Sequence, residues 1–109
     1  MPPVTTSLKV NSKTIELDKF TRSFVSSTVL GMLSALRGME KPEELESVKL
    51  DICGQDVSVV ADGVEIGMNG FIRDFIRNTV TAMVAPLRGV DIEIKTLELI
   101  LLPPLTNRE

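Results

Sequence analysis

The sequence predicts an α+β fold in which two copies of a β-β-α-β unit share one antiparallel, six-stranded sheet with two helices packed on one face. The first observation is an internal repeat, since residues 8–38 align without a gap on residues 59–89. This alignment has ten identities in 31 pairs, whereas unrelated sequences would share about two. The second observation is that each copy contains a hairpin, a helix and a strand pattern in the same order. Two copies indicate a fused pseudo-dimer with an internal two-fold axis.

Each copy opens with a predicted β-hairpin. Asp62-Gly63 is typical of a type I′ turn, because both central residues of that turn need a positive φ, and Asn11-Ser12 takes its place in the first copy. Around these turns the apolar residues alternate, which predicts that one set in each hairpin faces the core. The two sets are Leu8, Val10, Ile15 and Leu17 in the first copy, and Val57, Val59, Ala61, Val64, Ile66 and Met68 in the second.

A helix follows each hairpin. Asp18 and Asn69 are predicted N-caps at matching positions, and Gly38 and Gly89 are predicted to follow the last helical residues. Pro86 is expected to kink the last turn of the second helix. Between these limits the apolar residues cover one wide arc of each helix, which is predicted to be buried on the sheet. The arcs comprise Phe20, Phe24, Val25, Thr28, Val29, Met32 and Leu36, and Phe71, Ile72, Phe75, Ile76, Thr79, Val80, Met83 and Leu87.

A strand closes each copy. In the first copy the apolar residues of 48–52 alternate with charged ones. In the second, Ile92 and Ile94 alternate in one phase and Leu97 begins the opposite phase, which predicts a bulge near Thr96. The short link after the first closing strand makes it a hairpin partner of the strand that follows. Symmetry then gives the strand order 2-1-6-3-4-5.

The repeat also predicts how the chain divides. Residues 7–53 are the first repeat and residues 57–102 the second, and both share one core. Residues 1–6 and 103–109 are predicted to be terminal tails.

The composition is that of a globular protein, because 43% of the residues are hydrophobic and 25% are charged, with a net charge of −3. These values exclude a disordered chain and a basic nucleic-acid arm. The one cysteine, Cys53, cannot form an intramolecular disulfide, which indicates a reducing compartment. The chain has neither an apolar run of membrane-spanning length nor the pattern of a signal peptide. A cytoplasmic location without membrane association is therefore expected.

The residue content also excludes several kinds of chemistry. Without any histidine, neither a Ser-His-Asp triad nor a Cys-His nucleophile is possible. Cysteine and carboxylate spacings match no zinc or calcium site, and the phosphate-binding glycine motifs are absent. No metal or other cofactor is therefore expected. Nucleic-acid binding is not expected either, because all the aromatic residues are phenylalanines on the predicted helices and the net charge is negative.

Two matched pairs of polar residues are candidate ligand-binding residues. Arg22 and Arg73 lie near the predicted helix N-termini, where guanidinium and free N–H groups could hold an anion. The alternative is a structural ion pair with Glu16 or Asp74. Thr28 and Thr79 could bring two hydroxyls together near the pseudo-axis. Alternatively, each bonds the carbonyl one helical turn back.

Two surfaces are candidate interfaces. The outer face of the sheet is expected to expose the apolar residues Val60, Ile100 and Leu102, which suggests a homodimer. The alternative is a C-terminal tail that folds back at Pro103-Pro104. The first helix carries small residues at Ser23, Ser27, Gly31 and Ser34 and is expected to expose Leu30 and Leu33. These residues could instead form a helix–helix contact within the chain.

The sequence therefore favours a non-catalytic α+β module that acts through self-association as a homodimer and could hold a small apolar or anionic ligand. The alternative function is a small enzyme with an inter-subunit site built from arginines and carboxylates. A convergent polar pocket would favour the enzyme, whereas a filled core beside a large apolar surface would favour the module.

Overall fold

The computed structural model describes residues 5–36 and 46–102 and has an α+β fold. Six strands and two helices follow one another along these residues. Their order is β1 (Thr5–Val10), β2 (Lys13–Ile15), α1 (Lys19–Ser34), β3 (Val48–Cys53), β4 (Asp56–Ala61), β5 (Val64–Glu65), α2 (Gly70–Val84) and β6 (Thr96–Leu102). The expectations for Gly38, Pro103-Pro104 and most of the two tails concern residues outside these ranges.

The six strands form one antiparallel sheet in the order β2-β1-β6-β3-β4-β5. The predicted strand order is therefore confirmed. The last strand, β6, lies between β1 and β3, so that Leu99 is directly opposite Leu8 on one side and Leu50 on the other. The two edge strands are short, with three residues in β2 and two in β5. Short edges offer little unpaired backbone to another sheet.

One core lies between the sheet and both helices. It is aliphatic and alternates along the central strands, as expected for a sheet with one covered face. Its strand members are Leu8, Val10, Ile15, Val48, Leu50, Ile52, Val57, Val59, Leu97, Leu99 and Leu101. Its helix members are Val25, Val29, Leu33, Ile76, Val80 and Val84. Because both helices contribute to the same cluster, they cover the same face of the sheet.

The prediction that four phenylalanines are buried is wrong, because Phe20, Phe24, Phe71 and Phe75 are exposed. At about 100° per residue, Phe20 lies about 180° around α1 from Val29. The predicted arc thus spanned half of the helix, and a sheet cannot cover so wide an arc. The core takes the side that carries Val25, Val29 and Leu33. The aromatic side therefore points away from the sheet.

The helices are also shorter than predicted. The second helix ends at Val84, and Pro86 therefore lies beyond it rather than in its last turn. Ala85 still has helical dihedral angles (φ −54°, ψ −39°), but Pro86 has no backbone N–H to donate to the Ala82 carbonyl, and the helical hydrogen bonds therefore end there. Gly89 has a φ of +90° but lies five residues beyond the helix end. In the second hairpin, Val64 is exposed rather than buried; it lies on the edge strand β5, which has a neighbouring strand on one side only.

The predicted bulge near Thr96 is not formed, because β6 begins at Thr96 and residues 92–95 are not a strand. The Asn11 side chain accounts for this start. Its Oδ1 accepts the backbone N–H groups of Lys95 (2.7 Å) and Thr96 (3.0 Å). Its Nδ2 donates to the Glu93 carbonyl (2.9 Å) and to the Asp91 carboxylate (3.1 Å). These bonds hold the chain at the point where it enters the sheet.

Asp62 makes a corresponding contact at the other hairpin turn. Its Oδ1 accepts the backbone N–H groups of Glu46 (2.7 Å) and Ser47 (2.9 Å), which directly precede β3. Asn11 and Asp62 are aligned in the repeat, and both have a φ of 52°. We call these two contacts the turn clamps. One clamp connects the β1–β2 turn to the start of β6, and the other connects the β4–β5 turn to the start of β3.

Both helices begin at the predicted N-caps. The Asp18 carboxylate accepts the Thr21 backbone N–H at 2.7 Å, and the Asn69 side-chain oxygen accepts that of Ile72 at 2.9 Å. The hydrogen bonds from the Thr21 backbone and hydroxyl hold the pKa of Asp18 below its ordinary value of 3.8, and the charge of Arg22 acts in the same direction. The two caps thus differ, because only Asp18 titrates.

We expect the α1 cap to be sensitive to acid and the α2 cap to be insensitive. Because the folded pKa of Asp18 is lowered, its stabilising effect is present above pH 3.8 and is lost as the pH falls through the folded pKa. Asp18→Asn should therefore reduce the loss of melting temperature between pH 5 and pH 2.5. Asn69→Ala is the control and should cost about 1 kcal/mol by a similar amount at both pH values. An unchanged acid loss in Asp18→Asn would contradict this assignment.

Candidate interaction surface

Two pairs of phenylalanines project from the outer surface of the helices. The Phe20 and Phe24 ring centroids are 5.8 Å apart on α1, and those of Phe71 and Phe75 are 5.6 Å apart on α2. The exposed fractions of Phe20, Phe24, Phe71 and Phe75 are 73%, 52%, 71% and 62%. We call this outer surface of α1 and α2 the phenylalanine face. Scattered exposed apolar residues are ordinary, but a cluster of large ones indicates an interaction site.

The part of this face on α1 carries no charge. Lys19 and Arg22 are the only charged residues in α1; Arg22 lies about 200° around the helix from Phe20, and the exposed Lys19 lies about 100° from it, at the N-terminal margin of the face. The outward positions that follow the aromatic pair are small, namely Ser27, Gly31 and Ser34. A helix that faces water usually carries charged residues on its outer side. The outer side of α1 therefore lacks the charged residues that are usual on a helix facing water.

The part on α2 is similar in shape but more polar. Beyond its aromatic pair the outward positions are Asn78 and Ala82. At its margin Asp74 forms an ion pair with Arg77 at 3.3 Å. The side chain of Arg77 is mostly buried, since only 21% of it is exposed. The uncharged part of the phenylalanine face therefore lies on α1.

Thr28 lies at the edge of this uncharged part. It lines an open depression together with Phe20, Ser23, Phe24 and Ser27. The lining is formed by two aromatic rings and three hydroxyl groups, with no charged group among them. A depression of this kind suits an apolar side chain from another protein better than an ionic ligand.

The other sequence-predicted binding residues do not form a recognisable site. Arg22 is half-buried and Arg73 is exposed, each in the first turns of its helix. Within residues 5–36 and 46–102, neither forms an ion pair, and Asp74 bonds Arg77 rather than Arg73. Neither arginine lines the depression at Thr28.

The expected hydrogen bonds of Thr28 and Thr79 also differ from those in the structure. Thr28 and Thr79 are half-buried. In the part of the chain that the structure describes, the bond to the carbonyl one turn back is made by Thr81, whose hydroxyl donates to the Arg77 carbonyl at 2.7 Å. The expected bonds of Thr28 and Thr79 are not formed there.

The predicted interface residues of α1 are placed differently from the expectation. Leu33 is buried in the core, with 1% of its surface exposed, so it is not available to a partner. Leu30 is half-buried and packs against the same core. Leu33 was expected to be exposed because the predicted apolar arc was centred too far towards the phenylalanines. The core is centred on Val29 instead, and it includes Leu33 on the other side of Val29. The small residues predicted to border an interface do lie on the outer side.

The outer face of the sheet is mixed. Val60 and Ile100 are half-buried there, and Leu102 is exposed. At the middle of the sheet Lys49 forms ion pairs with Glu98 at 3.5 Å and with Asp51 at 3.9 Å. These exposed pairs contribute little to stability, but they keep this part of the surface polar. This face exposes one large apolar side chain, Leu102, whereas the phenylalanine face exposes four.

The spacing of the phenylalanines in the sequence already separates them from the core residues. The prediction missed this because it grouped all apolar residues of each helix into one arc. Val25 and Val29 are spaced i, i+4, and so are Phe20 and Phe24, but the two pairs lie on opposite sides of α1. The same spacing recurs in α2. Each helix thus carries two separate apolar stripes, of which the core covers one and leaves the other exposed.

Neither α1 nor α2 combines the length and the hydropathy that a bilayer-spanning helix needs. Within the described ranges, no three His, Cys, Asp or Glu side chains lie together where they could hold a metal ion. No family model, curated protein or solved structure matches this chain.

Proposed function

We propose that this chain is a non-catalytic α+β module that self-associates through the phenylalanine face and acts as a homodimer. One observation carries the proposal, namely the two exposed phenylalanine pairs on the outer side of the helices. At roughly 200 Å² for a fully exposed side chain, the four together expose about 500 Å². Each pair exposes about 250 Å², and the sum of the two pairs is comparable with the largest apolar patch on a typical monomer, about 300–600 Å².

The energetic argument is that burial of this patch can offset the costs of association. Removing about 500 Å² of apolar surface from water contributes on the order of 10 kcal/mol per copy. Loss of translational and rotational freedom costs about 4–15 kcal/mol. Both copies of a symmetric dimer bury the same patch, so the total gain is comparable with or larger than this cost. Micromolar or tighter dissociation is the expected result.

We further propose that the chain arose by duplication of a ββαβ unit and retains an approximate internal two-fold axis. The aligned turn clamps support this origin, since Asn11 and Asp62 each connect one repeat to the closing strand of the other. The aligned aromatic pairs support it as well. A duplicated unit with one apolar helix side would present that side twice on the same layer of the molecule.

Sedimentation velocity over a wide range of protein concentrations tests self-association. We expect the wild-type chain to sediment as a dimer above about 10 μM. The variant Phe20→Gln/Phe24→Gln/Phe71→Gln/Phe75→Gln should sediment as a folded monomer, because glutamine keeps helix propensity but removes the apolar surface. Leu102→Gln on the sheet is the control and should remain a dimer. A monomeric wild-type chain at every concentration would overturn the proposal.

A further inference from the structure

We infer that the phenylalanine face is occupied by a second copy of this chain with α1 packed antiparallel on α1 of the partner, so that Phe20 lies against Ser34 and Phe24 against Gly31. This inference rests on the proposed self-association and adds which helices meet and in which direction. It follows from the distribution of size, charge and area on the outer side of α1.

The distribution of side-chain size makes α1 complementary to itself. Its outer side is bulky at the N-terminal end, with Phe20 and Phe24, and narrow at the C-terminal end, with Ser27, Gly31 and Ser34. In an antiparallel pair the bulky end of each helix lies on the narrow end of the other. A parallel pair would instead oppose four rings at one end and leave a gap at the other. Close packing therefore favours the antiparallel arrangement.

The absence of charge on the outer side of α1 also favours a second copy of this chain as the partner. The outer side of α1 between Phe20 and Ser34 has no charged residue, so two copies meet there without like-charge repulsion. A nucleic acid or an acidic peptide would require a basic surface, and a basic peptide would require carboxylates. Uncharged apolar surfaces are typical of the buried centre of homodimer interfaces.

The available area is sufficient for a stable dimer. The described part of the molecule extends over 39 × 33 × 19 Å, and the helices cover one of its broad faces. A standard interface needs about 800 Å² from each partner. The four rings supply more than half of this area, and the small residues that surround them on α1 and α2 supply more.

The symmetry of such a pair makes a specific prediction. The outer stretch of α1 runs from Phe20 to Ser34, and its midpoint is Ser27. A two-fold axis that relates antiparallel helices therefore passes close to Ser27 of both copies. With small residues at the contact, the helix axes would be about 8 Å apart. Two cysteines at this position would be within reach of a short bis-maleimide cross-linker.

Cross-linking tests this geometry. We expect Ser27→Cys in a Cys53→Ser background to give a covalent dimer in high yield with a short bis-maleimide. The wild-type chain is the matched control, because its own exposed Cys53 lies at the outer face of the sheet and should give little product. Asn78→Cys in the same background places a cysteine at the equivalent position of α2 and tests whether α2 is at the contact. If Ser27→Cys reacts only when mixed with Asn78→Cys, α1 packs on α2 of the partner, and the inference is wrong although the proposed function stands.

A glycine variant provides a second, independent test. A Cβ atom added at Gly31 has no other heavy atom within 4 Å, so the folded monomer accepts a side chain there. Gly31→Glu should leave the melting temperature of the monomer unchanged or higher, yet weaken the dimer by about tenfold or more. Gly67→Glu is the matched control, because Gly67 has equally free space and lies outside the helices.

The outcomes separate the two proposals. A wild-type dimer that persists at full strength in Gly31→Glu overturns the antiparallel α1 contact but not self-association. Cross-linking of Cys53 instead of Ser27→Cys would assign the interface to the sheet and overturn the inference. A chain that is monomeric at every concentration and floats with phosphatidylcholine vesicles would assign the phenylalanine face to a lipid surface and overturn both.

Discussion

Leu99→Ala should lower the free energy of unfolding by about 3 kcal/mol, within the 2–5 kcal/mol that buried leucine truncations cost. Leu99 is 1% exposed on β6, the strand between β1 and β3, and it lies opposite Leu8 and Leu50. These neighbours are equally buried, and their positions in the centre of the sheet leave them little freedom to fill the space. Chemical denaturation followed by circular dichroism measures the change.

Ile100→Ala is the matched control for this truncation. Ile100 is the next residue of the same strand, but it is half-buried on the outer face of the sheet. We expect a loss of about 1 kcal/mol, since less apolar surface leaves water there. Both variants and the wild type should be compared at one protein concentration, because dissociation of a dimer contributes to its apparent stability. Equal losses in the two variants would contradict the observed orientation of β6.

Asn11→Ala should lower the free energy of unfolding by about 3 kcal/mol, the second large effect that we expect. The substitution removes four side-chain hydrogen bonds, and because these are mostly exposed to water each contributes about 0.5 kcal/mol, the lower end of the usual range. It also places alanine at a φ of 52°, where a non-glycine side chain without local hydrogen bonds costs about 1–2 kcal/mol. The measurement is again equilibrium denaturation.

Two further substitutions at the same position separate these contributions. Asn11→Gly removes the hydrogen bonds but accepts the positive φ, so it should be about 1 kcal/mol more stable than Asn11→Ala. Asn11→Asp keeps the acceptor for Lys95 and Thr96 but brings a second carboxylate towards Asp91, and it should fall between Asn11→Ala and the wild type. A loss below about 0.5 kcal/mol in Asn11→Ala would mean that the clamp does not hold β6 in the sheet.

The turn clamps also show why the strand order could be predicted although the start of β6 could not. Short hairpin links, together with the β6 position predicted from the alignment of residues 8–38 on 59–89, leave few permitted arrangements of six strands. The start of β6 depends instead on one side chain that reaches across more than eighty residues of sequence. No local pattern around Lys95 indicates that Asn11 will bind there.

The phenylalanine face shows a second limit of pattern analysis. Phe20, Phe24, Val25 and Val29 are all apolar, and periodicity alone places them in one continuous arc. The sheet accommodates a stripe centred on Val29 and excludes the rings on the opposite side. Gly31 and Ser27 then become outer-surface residues, and this position gives them their proposed role in the contact between two copies.

Local chemistry in the sequence was sufficient to predict the hairpin turns at Asn11 and Asp62, the N-caps at Asp18 and Asn69, and the alternation of the central strands. These features depend on backbone preferences and on neighbours within four residues. Tertiary structure alone decided which side of each helix meets the sheet and where β6 begins. The physical reason is that both depend on contacts between distant segments, whose geometry exists only after the sheet and the helices have packed together.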